Sequence, residues 1–303
     1  MFSDFLHELI LTKWFCVTPN FATLKSMAIN TFDDFVGAIS SGQAIFLPLG
    51  IQSATTATSN RFYFLGASAG LHSTSNFSYP GTALTWQQLD HTSSLHVLGA
   101  APDPGEIFQL LYGAVWANSS SVAPSTIYFC HVAGYYPGIN LNTTSPQNLT
   151  GTPTNIGTGE GYYATLVCTA AQGSSGPTIT LTYTNSANAS RTSTSRTNSS
   201  NPVHGCIQRS IALNRTAGDL GVRSVQSITF SSATTGTAAL FLFRPICAIP
   251  IFSYNVAAER DFLNQVPSLP IIEPNQCISI FAYFGSSYNG TLLGHLIALP
   301  TTP

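Results

Sequence analysis

Charge is what this 303-residue chain most lacks. Asp, Glu, Lys and Arg together make 7% of it, against roughly 25% in an average soluble protein. Lysine occurs only as Lys13 and Lys25. No charged residue lies between Phe62 and Leu89, between Ile107 and Gly159, or between Gly161 and Ser190. A surface like this has no charged solubilising coat. Hydroxyls, amides or neighbouring subunits must cover it. The net charge of −2 makes neither nucleic acid nor an anionic membrane an attractive partner.

Other absences narrow the chemistry. No apolar run reaches membrane-spanning length, so no transmembrane helix is expected. The opening "MFSDFLHELILTKWF" carries Asp4 and Glu8 early and has no small-residue cleavage site, so it reads poorly as a signal peptide. The cysteines, at 16, 130, 168, 206, 247 and 277, include no CxxC and no zinc-knuckle spacing. Their apolar settings predict buried free thiols. No GxSxG elbow occurs. "GTGEG" (157–161) is not followed by GK[ST], which leaves a phosphate cradle unsupported.

Paired-acid catalysis needs two carboxylates brought together, and the chain has 12 acids in all. Asp33 and Asp34 suit a helix start, as do Asp103 and Glu106. Glu259, Arg260 and Asp261 form a self-neutralising cluster at another helix start. Glu160 stands alone. Asp90, His91 and His96 are metal-ligand types, but the spacing of the two histidines sets them off-register on a strand or a helix. His131, inside an apolar strand, reads as a satisfied core histidine. No catalytic, metal or cofactor site is therefore assigned, and no enzyme is expected.

What is present is aromatic (11%) and β-branched. Such a chain can fold despite its low charge. Residues 1–26 read as a helical arm or extension. Phe2, Phe5, Leu6, Leu9, Ile10 and Trp14 recur at three and four residues and are the candidate partner-docking stripe. Met27 opens a second candidate start, so the arm is either a docking element or an accident of start-site choice. Residues 27–137 begin with a helix capped by Thr31, with Asp34 three residues on, and continue as a first β-rich part. "GEIFQLLYGAVWA" (105–117) spaces Ile107, Leu110, Leu111 and Val115 as a helix would. Residues 138–160 read as a loop and soft boundary.

Residues 161–303 read as a second β-sandwich part. "GYYATLVCTA" and "PTITLTYTN" predict two strands joined as a hairpin or a longer relative of one. In the second, Ile179, Leu181 and Tyr183 alternate with threonines, the pattern of a half-buried strand. "AALFLF" is apolar throughout and predicts burial on both faces. The Ser/Thr/Asn/Arg tract 185–201, charged only at Arg191 and Arg196, reads as an exposed loop whose residues 187–199 are dispensable for folding. The whole is all-β, a jelly-roll-like β-sandwich with a short helical N-terminal region.

The phrases "GEGYYATLVCTAAQGSSGPTITLTYTNSA", "AGDLGVRSVQSITFSSATTGTAALFLFRPICAIPI", "AERDFLNQVPSLPII" and "GTLLGHL", with the opening "MAINTFDDFVGAISSGQ", resemble virion structural proteins of tailed bacteriophages, cyanophages included. The resemblance implies a capsid cement or decoration protein on the capsid exterior, made in the bacterial host cytoplasm. Its implied partners are the major capsid protein and itself, as a homotrimer. A tail, collar or fibre component is the alternative. A jelly-roll carbohydrate-binding module or glycan hydrolase is another, with Trp86, Trp116, Tyr135 and Tyr136 as sugar-stacking candidates.

Overall fold

The computed structural model describes residues 32–52, 57, 59–65, 79–98, 100–118, 124–173, 176–193, 196–197, 206–208, 212–265, 269–288 and 290–301. The stripe from Phe2 to Trp14 lies outside them. In chain order the strands are β1 (Ile45–Gln52), β2 (Arg61–Phe64), β3 (Gln87–Gln88), β4 (Ile107–Ala117), β5 (Ser125–Asn140), β6 (Gln147–Asn148), β7 (Tyr163–Cys168), β8 (Thr178–Asn185), β9 (Ser190–Thr192), β10 (Arg196–Thr197), β11 (Cys206–Gln208), β12 (Val222–Phe230), β13 (Thr237–Ile251), β14 (Ala258–Asp261), β15 (Ile271–Ile272), β16 (Ile278–Phe284) and β17 (Thr291–Thr301). Among the described residues two helices, Phe32–Ser40 and Phe262–Gln265, accompany them. The fold is all-β, as the composition and strand spacing predict.

Three antiparallel sheets make two sandwiches that share one layer, the other two sheets packing side by side on the same face of it. Sheet 1 has the order β1-β17-β4-β14, with β15 also on β4. Sheet 2, the shared one, has the order β11-β2-β16-β5-β13-β7, with β3 on β5. Sheet 3 has the order β10-β8-β12-β6, with β9 on β8. Between sheets 1 and 2 lies a first core that includes Leu49, Val115, Phe129, Ile249, Ile280 and Leu296. Between sheets 2 and 3 lies a second, with Tyr136, Leu166, Leu181, Ile228, Leu240 and Leu242. The opposite face of sheet 2 buries Cys130, Phe241, Phe243 and Phe281 under Tyr79, Leu89 and Leu95.

The two longest strands, β5 and β13, run through both cores. Phe129 belongs to the first and Ala133 to the second, on one strand. Likewise Leu240 and Leu242 of β13 serve the second core, and Ile249 and Ile251 the first. "AALFLF" is wholly buried, as its composition requires. Ala238, Leu240 and Leu242 enter the second core, while Ala239, Phe241 and Phe243 enter the opposite layer. In β8, buried Ile179, Leu181 and Tyr183 alternate with half-buried Thr178, Thr180, Thr182 and Thr184, which is the predicted half-buried strand.

Three expectations change. Residues 107–117 are a strand, not a helix, paired along their length with β17. A bulge at Ile297/Ala298 supplies the reason. With Leu111 as the extra residue, the alternation shifts by one, so that Phe108 and Leu110 before the bulge and Val115 and Ala117 after it all face the first core, while Leu111 joins a small outer cluster with Ala38 and Leu299; a strand so shifted acquires helix-like spacing.

β7 and β8 form no hairpin. β7 pairs with β13 in sheet 2, and β8 pairs with β12 in sheet 3. Their connection is an arch across the second core, which lets Leu166 and Leu181 bury against each other's sheet. The arch from β12 back to β13 stacks on it, with Thr169 N and Ala170 N donating to Thr237 O at 2.9 and 3.1 Å. Gly236 sits at the contact with φ 109°, where a Cβ would lie 2.7 Å from Ala171 O, so only glycine fits.

The tract after β8 is not all loop. β9 and β10 pair with β8, and Ser193 is buried, exchanging 2.8 Å hydrogen bonds with Leu181 N and O.

Candidate functional site

The ionisable side chains are placed as structural fastenings. Asp90 Oδ1 accepts from Thr92 N (2.9 Å) and Thr92 Oγ1 (2.7 Å). The Thr92 hydroxyl, foremost among these bonds, holds the carboxyl below its ordinary range. His96 Nδ1 accepts from Ile278 N at 2.9 Å, tying the 90–98 turns to β16, and burial lowers its pKa. Among the described residues no three His, Cys, Asp or Glu side chains are placed to hold a metal ion.

Glu259, Arg260 and Asp261 are on β14, immediately before the helix Phe262–Gln265. Asp261 Oδ1 caps that helix through Leu263 N (2.9 Å), the role its position predicts. Arg260 Nη1 donates to Ala248 O. Asp103 and Glu106 close a turn, with Glu106 N donating to Asp103 O at 2.9 Å. A strand rather than a helix follows. Cys130, Cys168 and Cys277 are buried free thiols, and Cys247 is a partly buried one. Burial pushes Cys247 and Cys277 up to about 12, which removes them from thiolate chemistry.

One polar cluster was not foreseen. On the face of β5 that carries Phe129 and Ala133, the residue between them is His131, 1% exposed. It marks the seam where the first core ends and the second begins. Its Nδ1 lies 2.6 Å from Tyr162 Oη. Arg244, paired opposite His131 in the ladder, spreads its guanidinium over the Tyr162 ring at 5.6 Å and meets Glu273 at 3.8 Å. Burial, with the nearby Arg244 charge, lowers the His131 pKa to about 3. The imidazole therefore stays neutral across ordinary pH. Burial raises Tyr162 to about 12. His131 alone was readable as a core histidine. Its partners, remote in sequence, had no local signal.

A second cluster fastens sheet 3. The carboxylate of Asp219 accepts from Tyr183 Oη and, at 2.7 Å, from Asn185 Nδ2. Arg191 stands 3.5 Å away. The Tyr183 hydrogen bond is the main reason this carboxyl is held below its usual range.

The sugar-stacking candidates separate. Tyr135 and Tyr136 are buried, with their hydroxyls donating to Pro80 O (2.9 Å) and Gly151 O (3.3 Å). Trp86 is packed against Tyr136 at 5.1 Å. Only Trp116 is exposed, at 41%.

Two sheet faces remain. The outer face of sheet 3 is a hydroxyl lattice, in which Thr182 lies between Thr192 and Ser227, and Thr180 lies beside Thr229. The outer face of sheet 1 is largely apolar over β1, β17 and β4, with Glu259 and Asp261 of β14 along its edge. Its registers set Gly50, Leu293 and Trp116 in one row, Pro48, His295 and Ala114 in a second, and Phe46, Ile297 and Tyr112 in a third. Phe46 is 50% exposed and Leu293 38%. The Phe46 ring stacks on His295 at 4.6 Å. No family model, no curated protein and no solved structure matches the chain.

Proposed function

We propose that the chain is a non-enzymatic structural protein of a tailed-phage virion, a capsid cement or decoration protein. In this reading it binds the outside of the icosahedral shell as a homo-oligomer, a homotrimer by the resemblance, and reinforces the shell against internal DNA pressure. A protein that binds only the assembled shell stabilises it by mass action.

One observation carries the reading: the outer faces of the sheets present hydroxyl and apolar side chains in ordered rows, with few charges among them. Such faces suit permanent association with another protein surface. Exposed ion pairs contribute only about 0–1 kcal/mol each, so apolar and hydroxyl contacts dominate attachment.

The test is quantitative mass spectrometry of purified particles, counting this chain against the major capsid protein before and after a wash in molar salt. Hundreds of copies that survive the wash are expected. A dozen copies or fewer move the protein to the tail or collar, and none overturns the virion reading. Steep loss in salt overturns the uncharged mode of attachment.

A further inference from the structure

The registers of sheet 1 put exposed apolar side chains and acids on one face. Leu293 and Trp116 stand opposite each other in its first row. The second row ends in Glu259 and the third in Asp261. The face is thus apolar across β1, β17 and β4 and acidic along β14. Glu259 is exposed, and no cation among the described residues forms an ion pair with it. Arg260, its neighbour in the chain, serves the opposite side, where Nη1 donates to Ala248 O of β13. Glu259 takes a hydrogen bond from Tyr112, which after burial is the main cause of that phenol's raised pKa. An ionised carboxylate has about four acceptor sites, so most of its capacity is unused. His295 does not balance the acids, because burial lowers its pKa against the pull of Glu259.

We propose that this face docks on a different protein, one that presents apolar side chains beside a lysine or arginine. The proposal rests on the virion reading, in which that partner is the major capsid protein. Charge complementarity selects the occupant. A second copy related by a two-fold axis would set the patch against itself. The rows hold two acids and no Lys or Arg, so the acids of both copies would stay unpaired. A lipid surface selects faces rich in Lys and Arg, which this one is not. A foreign protein with a basic rim satisfies both halves. It covers Trp116, Leu293 and Phe46, and it pairs with Glu259. Tryptophan is a frequent binding anchor, while a rim charge chiefly speeds encounter and sets orientation.

Size fixes how the docking works. Four strands at about 4.8 Å, by three rows at about 6.8 Å, make a face of about 400 Å². That is half of the ~800 Å² per partner usual in stable complexes. One chain alone docks weakly. A homo-oligomer that sets several such faces on one shell docks tightly through avidity.

The experiment measures co-sedimentation of the full-length chain with shells assembled from the major capsid protein alone. Trp116→Ser with Leu293→Ser should weaken binding by about 30-fold or more, the loss of an interface anchor. Glu259→Lys should weaken it by about tenfold, because like charges then meet. It changes an exposed position and tests the face even where the serine pair lowers stability. Leu220→Ser, which removes an exposed apolar side chain ahead of β12, should change nothing. If the wild-type chain does not sediment with the shells, the virion reading fails and takes the proposal with it. If it does, and the serine pair or Glu259→Lys binds as tightly, the docking face alone is overturned. Break-up of the homo-oligomer by the serine pair, read by sedimentation velocity, overturns it in favour of a second copy. Binding to phosphatidylcholine vesicles that the serine pair abolishes overturns it in favour of lipid.

Discussion

At the residue scale, His131 has the largest consequence. The unfolded chain protonates this imidazole near pH 6.5, and the folded one only near 3. Between these values the unfolded state binds the extra proton. Stability is therefore full above about pH 6.5 and falls as the pH drops toward 3, with a slope of up to about 1.4 kcal/mol per unit from this one group. His131→Gln should flatten that limb in denaturant titrations at pH 4 to 6.5. An unchanged slope would assign the acid sensitivity elsewhere, His96 and His295 being the next groups lowered by burial. The sequence disclosed that His131 was buried. It disclosed neither Tyr162, 31 residues on, nor Arg244, because the contacts depend on the pairing of β5 with β13 and on the loop before β7.

At the element scale, β8 shows how much depends on its edge. Its alternation was legible because one face is buried and the other is not, and the side-chain period of a strand is two. The partners of its backbone were not legible. β9 and β10 borrow sequence that is polar on every side, so no pattern distinguishes them from loop. Deleting 187–199 removes both, along with the paired bonds of Ser193 to Leu181. Contrary to the sequence expectation, the deletion should lower the thermal midpoint and raise aggregation, since a long strand edge is left open. An unchanged midpoint by calorimetry would return the tract to the status of a loop. β4 misled for another reason. A bulge at Leu111 shifts the alternation, so Leu110 and Val115, five residues apart, face the same core, and with Leu111 on the outer side the three look like a helical stripe.

At the scale of the whole molecule, two cores share the same two strands. β5 and β13 cannot leave one core without disturbing the other. Leu240→Ala in the second core and Ile280→Ala in the first, both fully buried, should each cost about 2–5 kcal/mol. Both should lower the same single calorimetric transition. Two separable transitions, with each substitution moving only its own, would show that the cores melt independently.

The shared strands also set how force passes through the molecule. A hinge between two lobes yields first when the lobes are pulled apart. Among the described residues no hinge joins the sandwiches. The 16 residues of β5 and the 15 of β13 run side by side as continuous covalent beams from one sandwich into the other. Tension applied along them loads their hydrogen bonds in shear, many at once, instead of unzipping them one at a time. A body built this way carries strain from a surface gripped at one end to a surface gripped at the other through the same two strands.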